Sequence, residues 1–370
     1  TRVRKDGLIE EVTNDVPRLD WLNSNCPSLL LEPQRTNLQV YSEQFDNSAW
    51  TKANSTIEAN SIISPNGELS ADKLVDTTTS AAKYVQDIAS GLSTSSDATF
   101  SIFLKQSELS QVELLCAQNV SPFTNWARCR FDVSTLNDIG TTIGDFSYED
   151  YGNGWIRLSI TGTPVSSSAI IRITLSKNGT SSYTGTGTEG IYIFGAQVEQ
   201  GDYASSYIKT EASTVTRLKD EIFAEDSNLF DITEGTLFVD ATPFISGGGM
   251  EIQLSDGTAN NRHTIQYQAT IPSVRALTVT GGTTVFSDYN PLTFDIRNKL
   301  AITFKKDEFK FYVNGSLVHT DTSGDVPTGL DKLTFSNPNL GANFMEGKIH
   351  DIRVYDTVLT EAEAIELTTL

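Results

Sequence analysis

The segment Phe309-Lys310-Phe311-Tyr312-Val313-Asn314-Gly315-Ser316-Leu317-Val318 leaves the chain little choice of local structure. Phe309, Phe311 and Val313 alternate with Lys310 and Tyr312, a period of two that suits a pleated strand and not a helix. Asn314-Gly315 then supplies two residues that tolerate positive φ, as a two-residue type I′ turn demands, so the segment predicts a β-hairpin.

The same pattern recurs along the chain. Phe100, Ile102 and Leu104 alternate with Ser101, Phe103 and Lys105; Val112, Leu114 and Cys116 follow, then the strand-like runs 155–160 and 170–175. Ser64-Pro65-Asn66-Gly67, Tyr151-Gly152-Asn153-Gly154 and Lys177-Asn178-Gly179 place turn chemistry in the gaps. The second half continues with Leu237-Phe238-Val239 and the runs 250–254, 263–268, 276–280 and 299–304. Helical patterning is confined to the end, where Thr360 with Glu363 three residues on forms a capping box. Ile349 has the opposite parity to Ile352 and Val354, so that last strand is either buried on both faces or bulged.

Many short strands at such spacing predict an all-β chain. At 370 residues it is too long for one core. The joint falls in 190–220: a strand, a turn at Gln200-Gly201-Asp202, then a polar Ser/Thr-rich run from 205 to 216 with too few apolar residues to pack on its own. The expected fold class is two antiparallel β-sandwich (jelly-roll) domains in series with an extended N-terminal leader. The expected bounds are 1–38 for the leader, 39–215 for the first sandwich, 216–234 for a linker and 235–370 for the second.

The net charge of −20 is evenly shared, with 15 Lys+Arg against 25 Asp+Glu through Val215 and 12 against 22 beyond it. Such surfaces repel phosphates and argue against nucleic acid as a partner. No apolar run is long enough for a membrane helix, so no membrane insertion is expected. The three cysteines, Cys26, Cys116 and Cys129, lack metal-site spacing; Cys116 and Cys129 have inward parity and read as buried free thiols on neighbouring strands. The chain starts at Thr1 in strand-like sequence and reads as the far end of a longer polypeptide.

Catalytic constellations are missing. Glu346, Asp351 and Asp356 lie on or beside one strand, but a spacing of five puts neighbours in that series on opposite faces. His263, His319 and His350 lack a metal partner at i+2 or i+4, and no nucleophile elbow, H-E-x-x-H, Walker loop or dinucleotide fingerprint occurs. No residue is assigned a catalytic role, and the chain is read as no enzyme. Binding of a hydroxylated ligand needs aromatic faces beside Asp, Asn and Arg. Trp50 and Trp155 read as core. Trp126 and Arg128 share parity opposite to Cys129 and are candidates on the outer face. In the second half, Asp256, Asn260, Asn261 and Arg262 of one polar loop, and Asp288 and Tyr289 of another, offer the right groups. The same oxygens suit Ca²⁺, although no spacing marks a metal site and no cofactor is assigned.

Two resemblances add to this reading. CPSLLLEPQRTNL at 26–38, SEQFDNSAWTK at 42–52 and GAQVEQGDYASSYIKTEASTVTR at 195–217 resemble a recurring module of bacteriophage tail and fibre proteins, in which a leader strand precedes a jelly roll similar to carbohydrate-binding modules. The order KFYVNGSLV, MEGKIHDIRVYD, LTEAEAIEL resembles laminin-G-like members of the concanavalin A-like lectin and glucanase fold over 232–370. The first resemblance implies a virion protein of the tail or fibre, a homotrimer, with host-surface glycan and other virion tail proteins as partners. Two alternatives are a polysaccharide-degrading tailspike, or its accessory binding part, and a purely structural decoration or fibre connector.

Overall fold

The structure, a computed structural model, describes residues 1–226, 230–244, 249–268, 270–337 and 341–370. Its described strands build antiparallel sheets in two compact units, and the helix Glu361–Thr368 ends the chain. The N-terminal unit comprises residues 1–13, 21–25 and 34–218; the C-terminal unit comprises 14–20, 26–33 and 219–370. The stretch read as a leader is thus divided between the two.

In the N-terminal unit, one six-stranded sheet runs Asn137–Asp138, Asn125–Asp132, Gln111–Gln118, Ser168–Ser176, Tyr84–Ser90, Thr51–Ala53. The other runs Asp145–Gly152, Trp155–Gly162, Ala98–Gln106, Gly190–Gln200, Leu69–Asp76, Ser55–Ile63. Their facing sides supply the core: Phe100, Ile102 and Leu104 meet Val112, Leu114, Cys116, Ile171 and Ile173, all buried. Cys116 and Cys129 are buried free thiols on paired strands, and Trp50 and Trp155 are buried.

Residues 34–38 of the first motif that carries the tail-module resemblance meet the last motif, 195–217, inside this unit. Buried Asn37 donates through Nδ2 to the carbonyls of Ala196 (3.1 Å) and Ile208 (2.8 Å), and its Oδ1 accepts from the backbone of Gln39 and Val198. Glu199, also buried, accepts from Gln197 Nε2 (2.6 Å), Ser205 N (2.9 Å) and Ser205 Oγ (2.6 Å). Polar groups withdrawn from water need such partners, so these motifs act as a clamp that holds the chain entering and leaving the sandwich. Ser205, Tyr207, Ile208 and Thr210 are buried here, so the polar run at 205–216 is packed in its first half. Counting apolar residues missed this because side-chain and backbone hydrogen bonds, rather than apolar contacts, do the fixing.

In the C-terminal unit, one sheet runs Phe223–Glu225, Lys332–Thr334, Gly249–Ser255, Arg262–Gln268, Ser273–Thr280, Thr283–Pro291. The other, of seven strands, runs Ser316–Asp321, Glu308–Val313, Asn298–Lys305, Glu234–Pro243, Gly347–Tyr355, Ser28–Leu31, Leu19–Asp20. Its last two strands come from the leader. They pair Leu31 with Gly347 and Leu29 with Ile349, and Leu31 is buried in this unit's core. Arg18 fastens them, donating to Glu32 Oε2 (2.6 Å) and pairing with Asp220.

The hairpin at Asn314-Gly315 forms with φ of 46° and 79°, the positive pair a type I′ turn requires. Asp351 pairs with Asp240 and Ile349 with Ala241, so His350 is the extra residue of a β-bulge, which decides the parity conflict of that strand. The capping box at Thr360 and Glu363 is present. Among the described residues no helix is long and apolar enough to cross a membrane.

Candidate ligand-binding site

The candidate residues from sequence fall in different surroundings. Trp126 is buried in the N-terminal core, whereas Arg128 lies on the outer face of the same strand. The expected shared orientation fails because the register slips: Cys116 pairs with Ala127 but Ala117 with Asn125, leaving Trp126 as the extra residue turned inward. Its indole Nε1 is buried without a hydrogen-bond partner among the described residues.

Asp256, Asn260 and Asn261 form a turn tied to its surroundings. Asp256 Oδ1 accepts from Thr258 N (2.7 Å) and Oγ1 (2.6 Å), Asp256 Oδ2 from Asn261 Nδ2 (2.8 Å), and Asn261 Oδ1 from Gly281 N (2.9 Å). Although burial works against it, these hydrogen bonds leave the Asp256 carboxyl below its ordinary pKa. Asp288 and Tyr289 belong to the strand Thr283–Pro291 rather than to a loop, and alternation turns them to opposite faces. Asp288 lies 3.5 Å from His319 Nδ1, while Tyr289 is 51% exposed.

Arg262 and Tyr289 share the outer face of one sheet, where antiparallel register brings together residues that sequence reasoning passed over. Glu251 stands opposite Gln266, Gln266 opposite Arg275, and Arg275 opposite Tyr289. This is a transverse row over four strands, about 14 Å long at the usual inter-strand spacing. Beside it runs a second row, Gln253, Thr264, Leu277, Ser287.

Chemically the first row is graded. At one end Glu251, buried, accepts from Gln266 Nε2 (2.9 Å), Asn343 Nδ2 (2.5 Å), Asn337 Nδ2 (3.4 Å) and Gln253 Nε2. At the other end the Arg275 guanidinium lies 5.0 Å from the Tyr289 ring centroid, and its Nε donates to Ser287 Oγ (3.1 Å). Arg262, opposite Ser255 and Val279 two rows away, has its pKa lowered, by burial first and by Arg275, against the opposing pull of Glu251. Gln253 and Thr264 are buried, and Gln253 Oε1 and Thr264 Oγ1 have no hydrogen-bond partner among the described residues. Buried polar atoms without partners are rare in folded proteins, and a ligand's hydroxyls would satisfy these. The face therefore offers acceptors, amide donors, a guanidinium and an aromatic ring.

Across the strands Gly249–Ser255, Arg262–Gln268, Ser273–Thr280 and Thr283–Pro291, Glu251 is the one carboxylate on this face; at the sheet's edge Glu225, opposite Lys332 and paired with it at 3.2 Å, adds a second. Glycoside hydrolysis uses two carboxyl groups flanking the bond. Among the described residues no three His, Cys, Asp or Glu side chains are gathered as a metal ion would require.

This face lies in a segment with known relatives. Residues 235–364 match the family model of the concanavalin A-like lectin/glucanases superfamily. No curated protein matches the chain. Solved structures similar to part of it include the CBM40 of a Ruminococcus gnavus IT-sialidase bound to α2,3-sialyllactose, at 18% identity and TM-score 0.35, covering 40% of this chain and 97% of that one. The Caenorhabditis elegans galectin LEC-6 aligns at 13% identity and TM-score 0.28, covering 37% and 91%. The carbohydrate-binding module CBM66 from Bacillus subtilis aligns at 16% identity and TM-score 0.27, covering 41% and 92%.

Proposed function

We propose that this chain is a non-catalytic glycan-binding protein whose C-terminal unit holds sugar hydroxyls along the Glu251–Gln266–Arg275–Tyr289 row. The observation that carries the reading is Glu251, a buried carboxylate held by side-chain amides beside the unpartnered Gln253 Oε1 and Thr264 Oγ1. Groups fixed in advance lose little freedom on binding and present donors and acceptors in a set pattern. The family match of 235–364 to lectins and glucanases supports the same reading, and the lone carboxylate of the Glu251–Gln266–Arg275–Tyr289 row, with Glu225 paired to Lys332 at the sheet's edge, favours binding over hydrolysis. The test is a glycan array on the whole chain followed by titration of Gln253→Ala and Arg275→Ala. A glycan whose affinity falls at least tenfold in both supports the assignment; unchanged affinity in both removes it.

The setting proposed is a bacteriophage tail or fibre, with host-surface glycan as ligand, other virion tail proteins as neighbours and a homotrimeric assembly. Its support is the ordered motif series at 26–38, 42–52 and 195–217. A monomer by light scattering at micromolar concentration would remove the trimer. Release of reducing ends or unsaturated products from capsule or lipopolysaccharide would favour the tailspike reading.

A further inference from the structure

The outer face of the N-terminal unit carries a different set of groups. Across the sheet the register aligns Gln86, Arg172, Leu115 and Arg128 in one row, and Tyr84, Thr174, Glu113 and Arg130 in the next. Three guanidinium groups therefore meet within four adjacent strands of a chain whose net charge is −20. Glu113 is the counter-charge of two of them, accepting from Arg128 Nη2 (2.6 Å) and Arg130 Nη2 (2.7 Å). Two other carboxylates of this sheet, Asp132 and Asp138, are held by their own turns through Ser134, and through Gly140 and Thr142.

Each arginine is fixed in place while keeping donors free. Arg172 lies 4.2 Å from the centroid of the Tyr84 ring, and its Nε donates to Gln86 Oε1 (2.8 Å), so both Nη atoms remain available. Arg130 Nη1 donates to the Gly179 carbonyl (2.6 Å). The Nε atoms of Arg128 and Arg130 are buried without a hydrogen-bond partner among the described residues, as is Thr174 Oγ1. Between Arg172 and Arg128 stands only Leu115, 8% exposed, leaving the two guanidinium-bearing strands about 10 Å apart at the usual spacing. A low apolar floor between guanidinium walls, with a buried hydroxyl beside it, suits a ring that carries a planar or tetrahedral anion.

We propose that this face is a second binding site, for an acidic saccharide, with Arg172 and Arg128 gripping its carboxylate, sulfate or phosphate and Leu115 beneath its ring. The anion is argued from the arginines alone; calling its carrier a sugar rests on the glycan reading of the preceding section. The experiment titrates the whole chain with uronic-acid, sulfated and phosphorylated oligosaccharides, their neutral counterparts, and inorganic sulfate and phosphate. An acidic oligosaccharide is expected to bind at least tenfold tighter than its neutral counterpart, and severalfold more weakly as salt rises from about 50 to about 300 mM. Arg172→Ala is expected to lower its affinity at least tenfold. Arg172→Lys, which keeps the charge and loses the fork, should lower it severalfold and guards against a folding defect, with melting temperature read alongside. Lys306→Ala, an exposed charge of the other unit, should leave it unchanged. Acidic binding lost in Arg275→Ala and kept in Arg172→Ala would overturn this site while sparing the glycan reading. Binding of inorganic anions without any acidic saccharide, or no acidic binding at all, would overturn it as well, and neutral glycans held by the C-terminal unit would still stand.

Discussion

The two outer sheet faces are built alike and charged differently. In each unit, adjacent antiparallel strands align alternate residues into transverse rows, apolar inside and polar outside. In the N-terminal unit two of three arginines pair with one carboxylate; in the C-terminal unit amides surround one carboxylate, with arginines at a distance from it. Burying a charge costs free energy unless partners replace its water, and the two faces answer with opposite chemistry. Alternation thus lets the inner face hold the fold while the outer face is free to select a ligand. Net charge describes neither face: −20 overall conceals an arginine cluster.

The strongest way to break this comparison is to remove the C-terminal carboxylate. Glu251→Ala strips the acceptor from several buried or half-buried amides and should cost about 2 to 4 kcal/mol. Calorimetry should show the C-terminal unit melting earlier and the N-terminal unit unmoved; a shift in both would mean that the faces are not independent.

Next comes pH, where the units should move in opposite directions. His263 is buried against Phe304, with ring centroids 3.8 Å apart, and burial pushes its pKa down to about 3. Below about pH 6.5 the unfolded chain takes up a proton that the folded unit refuses, so this group removes about 2 to 3 kcal/mol from the C-terminal unit by pH 4.5. Asp72, in the N-terminal unit, is pushed up to about 6 by burial, despite accepting from the backbone of Phe45 (3.0 Å) and Asn60 (2.9 Å). Its folded form takes the proton first, so this group adds about 1 to 3 kcal/mol as pH falls through 6 toward 4. Hydrogen-bonded carboxylates held below their ordinary range act the other way: Asp132 opposes the gain in the N-terminal unit, and Asp256 adds to the loss in the C-terminal unit. The measurement is therefore the difference in pH slope between the protein and His263→Gln or Asp72→Asn. Equal slopes would refute it.

A smaller effect sharpens the contrast. Glu113→Gln frees Arg128 and Arg130 from their shared counter-ion, and should cost the N-terminal unit about 1 kcal/mol while tightening acidic ligands severalfold. Weaker acidic binding would mean that Glu113 positions the arginines rather than competing with the ligand.

Local features of the fold were legible because their causes are local. Asn314-Gly315, the Thr360 capping box and the alternation around Phe100 each depend on neighbours within a few residues. Trp126 was misread because a bulge shifts parity by one, and the composition around 125–128 does not announce it. Asp288 and Tyr289 looked like loop residues because polar groups on a strand's outer face resemble a turn. The Glu251 row was out of reach, since it needs the registers of three strand pairings at once. Its trace was nevertheless present: Glu251 and Gln253, then Thr264, Gln266 and Gln268, place polar residues at every second position beside an apolar set. Within the motifs that resemble the tail module, Asn37 and Glu199 spend their polar atoms on internal bonds, which no sequence spacing announces.

The strip Ser28–Leu31 closes one edge of the C-terminal sheet, yet it leaves the ribosome long before the strand that receives it. Lys348 donates to Asp20 across a separation of 328 residues. Until synthesis is nearly complete this apolar ribbon has no docking place, and joining such distant pieces is entropically slow. Assembly of the second sandwich is therefore tied to translation of the whole chain. A circular permutant that carries residues 14–33 after the terminal helix should reach the same final sheet sooner.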